Sequence, residues 1–200
     1  RPAWGGIYEG LAVSFQKAGD LTHALEYAQR SLRLFETLRD VRMSAQLRNN
    51  MAEILLSQGR NEEAEVLFLA GAEQLQHVGD RDLLPHLVAG AAEAALNRGE
   101  LTLANTRVTL ALQTGARSAD PIAKLATERV AGRVTAAMGQ DQEARAHFER
   151  ALELAATADS STDTSRVAFD YAQVLETQGN PTQALIRYRQ AYQARQAARS

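Results

Sequence analysis

The sequence predicts an all-α protein, a solenoid of five helical hairpins with about ten helices, in one domain over residues 1–200. Three observations carry that expectation. Gly19, Gly59, Gly99, Gly139 and Gly179 stand 40 residues apart without deviation, and repetition at such a period is the mark of stacked repeat units. Two further columns of small residues keep the same interval. Ala24, Ala64, Ala104, Ala144 and Ala184 follow each glycine by five, and Ala12, Ala52, Ala92, Gly132 and Ala172 precede it by seven. The composition is dominated by Ala, Leu, Arg, Glu and Gln, with only 4 Pro and no β-branched runs, which favours helix nearly everywhere.

The units run over about 5–40, 41–80, 81–120, 121–160 and 161–200. Each has an apolar-patterned segment, a glycine with a polar residue after it (Asp20, Arg60, Glu100, Gln140, Asn180), and a second segment. That order reads as helix, tight turn, helix, with helices of about 15–17 residues. The glycine suits the left-handed conformation just past a helix end, and Asp20, Asn61 and Asn180 are expected N-caps of the helices that follow. Pro181, Pro85 and Pro121 are expected in first helical turns, where a missing N–H costs nothing. The small columns let paired helices approach closely. The expected core between them is Leu11, Phe15, Leu21, Leu25 and Leu32 in the first unit, Met51, Leu55, Val66 and Phe68 in the second, and Tyr171, Leu175, Leu185 and Tyr188 in the fifth. The polar run Asp159 to Ser165 reads as a turn between units.

Composition also excludes functions. With 45% hydrophobic and 23% charged residues the chain can build a core, and without cysteine it has neither disulfides nor a cysteine zinc site. No stretch of about 18 apolar residues occurs and the N-terminus lacks signal-peptide order, so the expectation is a cytoplasmic protein with no membrane contact. Arg1 in place of Met is expected to mark a piece of a longer chain. Residues 1–100 carry 10 basic and 14 acidic side chains and residues 101–200 carry 12 and 10, a balance that argues against direct nucleic-acid binding. The basic and aromatic run Arg187 to Arg195 reads as a helix with Tyr188 and Tyr192 facing its neighbour. No phosphate loop, H-E-x-x-H, Gly-x-Ser-x-Gly or cysteine nucleophile occurs. The four histidines are scattered, and His86 with Glu93 lies two turns apart on one helix, about 10 Å, too far for one ion. No catalytic residue, metal or cofactor is expected.

The first unit presents Tyr8, Leu11, Ala12, Phe15, Gly19, Asp20, Ala24 and Ser31, and the fourth Gly132, Gly139, Ala144, Phe148 and Ala151. In these residues the chain resembles the tetratricopeptide repeat (TPR) family over about residues 6–198. It departs in lacking the terminal proline and in its longer period, 40 residues where the consensus has about 34. Long units of this kind are similar to those of kinesin light chains, bacterial peptide-pheromone receptors and the sensor regions of large bacterial transcription activators. The stretch Ser31 to Asp40 most resembles the last group. The resemblance implies a right-handed superhelix whose first helices line a concave face that binds peptides or partner helices. It also implies no dicarboxylate clamp, since only Asn50 matches that pattern and Lys17 and Lys124 are the sole lysines.

Three columns of each first helix share the groove-facing stripe. Ten before the glycine are Glu9, Asn49, Ala89, Arg129 and Phe169; six before, Val13, Glu53, Glu93, Arg133 and Gln173; thirteen before, Gly6, Gln46, His86, Ala126 and Arg166. The column nine before adds Asn50 and Asp170. The candidate binding residues are therefore Gln46, Asn49, Asn50, Glu53, His86, Glu93, Arg129, Arg133, Arg166, Phe169 and Gln173. Acidic members fall in the early units and arginines in the late ones. On one reading the arginines receive a carboxylate or phosphate while Asn49 and Gln46 bond a peptide backbone; on the other they are ordinary surface or pair internally with Glu128 or Asp170. The function expected is a protein- or peptide-binding module, the ligand-sensing or partner-docking part of a larger bacterial regulator. The alternative is an assembly scaffold without a small ligand. A homodimer through the terminal helices is a further expectation.

Overall fold

A computed structural model of the chain describes residues 2–198, so Arg1, Arg199 and Ser200, the ends of the expected domain, lie outside the described residues. The described residues hold ten helices and no strand: α1 Pro2–Ala18, α2 Leu21–Thr37, α3 Val41–Ser57, α4 Asn61–Val78, α5 Leu84–Asn97, α6 Leu101–Gly115, α7 Pro121–Ala137, α8 Asp141–Thr157, α9 Ser161–Thr177 and α10 Pro181–Ala197. Consecutive pairs form five antiparallel hairpins, and each second helix packs on the first helix of the next pair. The first helices also touch one another, α3 on α5, α5 on α7 and α7 on α9. They make an inner layer, and the chain is an all-α helical repeat solenoid.

The 40-residue period acts through the turns. All five repeating glycines have φ between 73° and 81°, a left-handed backbone that glycine adopts without steric cost. That bend lets the next N–H return to a carbonyl of the finished helix, as in Asp20 to Phe15 (2.9 Å), Gln140 to Thr135 (2.9 Å) and Asn180 to Leu175 (2.9 Å). The same closure recurs between hairpins, where Asp40 donates to Phe35 O and Ser160 to Ala155 O. There the left-handed residues are Arg39 (φ 57°) and Asp159 (φ 49°), which the glycine column does not announce. Both alanine columns, with Gly132, are buried throughout. At Gly132 an added Cβ would sit 2.9 Å from the Phe148 ring, so a large side chain seats where its partner helix has none.

Several sequence expectations are corrected. Leu11, Val66 and Leu185 are exposed rather than core: Val66 sits on a face of α4 that α5 does not cross, and Leu11 and Leu185 lie on α1 and α10, the first and last of the described helices. Tyr192 is 65% exposed and lines an open groove beside α9 instead of being buried on it. Asn61 is the first residue of α4 and Arg60 the N-cap. Asn180 holds the cap position without a side-chain bond, whereas Asp20 accepts from the His23 N–H. Most of the run Asp159 to Ser165 is the first turn of α9, begun by Ser160, whose hydroxyl accepts from the Asp163 N–H. Proline stands in the first turn of α5, α7 and α10.

The helix that positions the site is α5. Eleven of its 14 residues are buried, from Leu84 to Ala95, because α4, α6, α3 and α7 cover it on several sides. Its run of alanines is what admits α7 so closely. The flanking first helices, α3 and α9, meet through side chains, Glu53 and Arg166 standing 3.5 Å apart.

Candidate functional site

A pocket of about 180 Å³ lies on the inner layer, where residues of α3, α5, α7 and α9 converge. The α3 wall is polar because Gln46, Asn49, Asn50 and Glu53 recur at near-helical spacing on one face. His86 stands on α5, Arg129 with Ile122, Leu125 and Ala126 on α7, and Asp163, Arg166 and Val167 on α9. Seven of the eleven residues expected from the sequence thus line one cavity.

Ion pairs fill the rest of the inner layer. Arg129, 4% exposed, reaches both oxygens of Glu93, from Nη1 at 3.1 Å and from Nη2, and also holds Asp170 Oδ2 at 2.5 Å. Arg133 bonds the same Glu93 and donates to Asn97 Oδ1 at 3.1 Å. Glu128 turns away to His147 (2.6 Å) and Arg150 (3.1 Å) on α8. Burial alone would raise the Glu93 carboxyl pKa, but the charges of Arg129, Arg133 and Arg166 hold it well below the usual carboxylate range. Arg129 is opposed by burial in the same way, and Glu93 and Asp170 raise its pKa beyond that of an ordinary guanidinium. The acidic and basic ends read from the sequence therefore meet and neutralise each other. Arg129 and Arg133 carry internal anions.

Glu53 is held differently. Its Oε1 lies 3.0 Å from His86 Nε2, and its Oε2 lies 3.5 Å from Arg166 Nη1. Burial pushes its carboxyl up, yet the His86 hydrogen bond and the charges of Arg166, His86 and Arg129 bring it down to about 2. The Arg166 side chain is 42% exposed, and its other carboxylate neighbour, Glu93, is 3.9 Å away. Of the three inner-layer arginines it is the loosely held one.

Asn49 is the anomaly. It is 2% exposed, and its Oδ1 is the one buried side-chain polar atom without a hydrogen-bond partner among the described residues. Leaving such an acceptor dry costs about 1–3 kcal/mol; the atom is sealed in this arrangement, so a donor reaches it only when a neighbouring side chain moves aside. The neighbouring Gln46 gives its Nε2 to Asn50 Oδ1 at 3.1 Å and does not serve Asn49.

The remaining expected residues lie elsewhere. Glu93 and Arg133 stand beside the pocket, in the ion-pair network. Phe169 is exposed and meets Tyr188 edge-on at 5.7 Å, in a wider groove of about 680 Å³ between α9 and α10. Gln173 is exposed and lines neither cavity. The groove columns did not include Asp163, Ile122, Leu125 or Val167. Leu125 and Val167 are apolar and buried, so from sequence they look like core, and only the convergence of α7 and α9 makes them walls. No group of three His, Asp or Glu side chains among the described residues is placed to hold a metal ion, and no helix there is long and apolar enough to cross a membrane.

Comparison with known proteins agrees with this architecture. Tetratricopeptide repeat models match residues 44–76 and 124–197, together more than half the chain. No curated protein matches the chain by sequence. Among solved structures, the apo form of RapI is 15% identical with a TM-score of 0.70, the match covering 98% of this chain and 85% of that one. The Rap conjugation gene regulator of plasmid pLS20, in complex with the Phr* peptide, is 14% identical with a TM-score of 0.71, covering 98% of this chain and 63% of that one. The kinesin light chain TPR-like repeats of Podosopora anserina are 17% identical with a TM-score of 0.63, covering 99% of this chain and 98% of that one. At these identities the likeness is one of fold. From the repeating turn glycines, the paired helices and the two matched stretches, the chain belongs to the tetratricopeptide repeat family.

Proposed function

We propose that the chain binds a peptide or an extended protein segment along its inner layer, with Gln46, Asn49, Asn50, Glu53 and His86 as the contact residues and Arg166 at the rim. The observation that carries this reading is the orphaned Asn49 Oδ1, buried in the wall of a pocket that four helices form. A backbone or side-chain N–H from a ligand would satisfy it, and one extended segment can supply several donors in a row. Glu93, Arg129, Arg133 and Asp170 then act as the rigid floor. The Rap regulator of pLS20, whose fold this chain shares, was solved with a peptide, which supports the same class of ligand here. The module serves as the sensing or docking part of a larger bacterial, cytoplasmic regulator. The test is selection of random dodecapeptides on the immobilised chain, followed by titration against the Asn49→Leu variant. Enriched peptides should lose at least tenfold in affinity for that variant. Enrichment of peptides indifferent to Asn49 would end this reading.

The exposed Leu185, Ile186 and Tyr192 on α10 favour a second reading, an assembly scaffold or a homodimer through the terminal helices. Sedimentation that shows a monomer at all concentrations, and still a monomer for Tyr192→Ser, would remove the dimer.

A further inference from the structure

The chemistry of the pocket goes further than peptide binding in general. We infer that the pocket selects a cationic group, a guanidinium or ammonium carried by the ligand, which takes the place of Arg166 against Glu53 and donates to Asn49 Oδ1. This rests on the reading of the pocket as a ligand site.

One acceptor in the pocket wall lacks a donor, so the incoming group must supply one. Glu53, four residues along α3 from Asn49, shares that helix face. Charge decides the rest. Around the pocket stand four carboxylates, Glu53, Glu93, Asp163 and Asp170, and three guanidinium groups, Arg129, Arg133 and Arg166. Arg129 and Arg133 are engaged by Glu93 and Asp170, and Arg129 is sealed from solvent. Neither can be freed for a ligand anion without leaving a buried carboxylate bare.

Arg166 is the exchangeable one. It is 42% exposed and sits 3.5 Å from Glu53, so its guanidinium can swing into water and open the pocket. A neutral amide that displaced it would leave Glu53 with His86 as its one remaining close partner, and an anion would meet Glu53 and Asp163. A cation replaces it charge for charge and also supplies the donor that Asn49 needs. At about 180 Å³ the cavity accepts a group of side-chain size; a cavity of about 150 Å³ holds a benzene ring. A group that donates to Asn49 Oδ1 must carry N–H bonds, which a bare metal ion lacks, so the cation is an organic one.

The test uses three small probes, N-acetyl-arginine amide, its neutral isostere N-acetyl-citrulline amide, and N-acetyl-glutamate amide, titrated into the full chain and followed by nitrogen-resolved NMR. The arginine probe should shift the Asn49, Asn50 and Gln46 side-chain amides and bind at least tenfold more tightly than the citrulline probe. Glu53→Gln should weaken it at least tenfold. Arg166→Gln, a change at an exposed side chain, should strengthen it severalfold, because the internal competitor is gone. That gain separates the proposal from any merely structural role of these residues. Equal binding of the arginine and citrulline probes, preference for the glutamate probe, no shift at Asn49, or weaker binding in Arg166→Gln would each overturn it. If selected peptides require Asn49 but carry no basic residue, the cation inference falls and peptide binding stands. If the arginine probe behaves as stated and no peptide is enriched, the reverse holds.

Discussion

Glu53 on α3 and Arg166 on α9 stand 3.5 Å apart, so side chains of the second and fifth hairpins meet across the inner layer. The pair is long and its arginine is largely hydrated, so its net worth is below about 1 kcal/mol. The packing of α5 on α7 must therefore hold most of the curvature, and the pair trims it. Arg166→Gln should lower stability by less than about 1 kcal/mol, and the difference should vanish near 1 M salt, where charges are screened beyond about 3 Å. Because the chain has no cysteine, Ser57→Cys with Thr177→Cys gives a clean spin-label pair. Their separation should grow on removing Arg166. An unchanged distance would mean that the two helices are held without this contact.

The buried network behaves in the opposite way. Arg129 is the shared cation of Glu93 and Asp170, and removing it leaves two carboxylates with little solvent. Breaking such a buried pair from one side costs about 3–5 kcal/mol, so Arg129→Met should lower the unfolding midpoint sharply. The double change Arg129→Met with Glu93→Gln should recover part of that loss, with a coupling of about 1–3 kcal/mol in a double-mutant cycle of urea unfolding. Additive losses would show that the two side chains do not act as a unit.

How far these relations could be read from residues alone differs by feature. The turn glycines were legible because left-handed φ in a helix-to-helix turn has one preferred residue, and all five bear it. Gln46, Asn49 and Glu53 were legible as a shared wall because helical spacing is periodic. The pairing of Glu93 with Arg129 was not, since it depends on how closely α5 and α7 approach. Nor could exposure of Val66 be foreseen, because a second helix buries whichever face its successor happens to cross. Arg39 and Asp159 take left-handed conformations that residue type does not advertise. Local rules thus reach the hairpin, and the site arises one level above, from how the hairpins stack.

Acid should expose the Glu53 contacts. Its carboxyl ordinarily titrates near 4.5 and in the folded chain is held at about 2. A depressed folded value means that its stabilisation is full above the unfolded value and is lost as pH falls from 4.5 toward 2. Glu93, held lower still, extends the loss below that window. Urea midpoints followed by circular dichroism from neutral pH downward should fall through this range. In Glu53→Gln the midpoint should start lower and decline less steeply, so that the two curves converge in acid. Parallel curves would show that Glu53 takes no part in the acid response.

Two glycines on first helices should respond to alanine with opposite signs. Gly6, on α1, faces open space, with no atom within 4 Å of an added Cβ. Gly6→Ala only trades a poor helix former for the best one, and should stabilise by up to about 1 kcal/mol. Gly90 on α5 is buried, and an added Cβ would fall on the Phe68 ring of the preceding hairpin. Phe68 is 1% exposed within the central core cluster, with Ala64, Ala72 and Leu87 in the same cluster, so the ring cannot yield without displacing well-packed neighbours. Overpacking of this kind costs about 1–3 kcal/mol even after the gain in helix propensity. Gly90→Ala should therefore lower the melting temperature while Gly6→Ala raises it. A truncated partner should repair the first: Gly90→Ala with Phe68→Leu should be more stable than Gly90→Ala alone. If Gly90→Ala melts at or above the parent, α5 is not seated against the Phe68 ring of α4 as described.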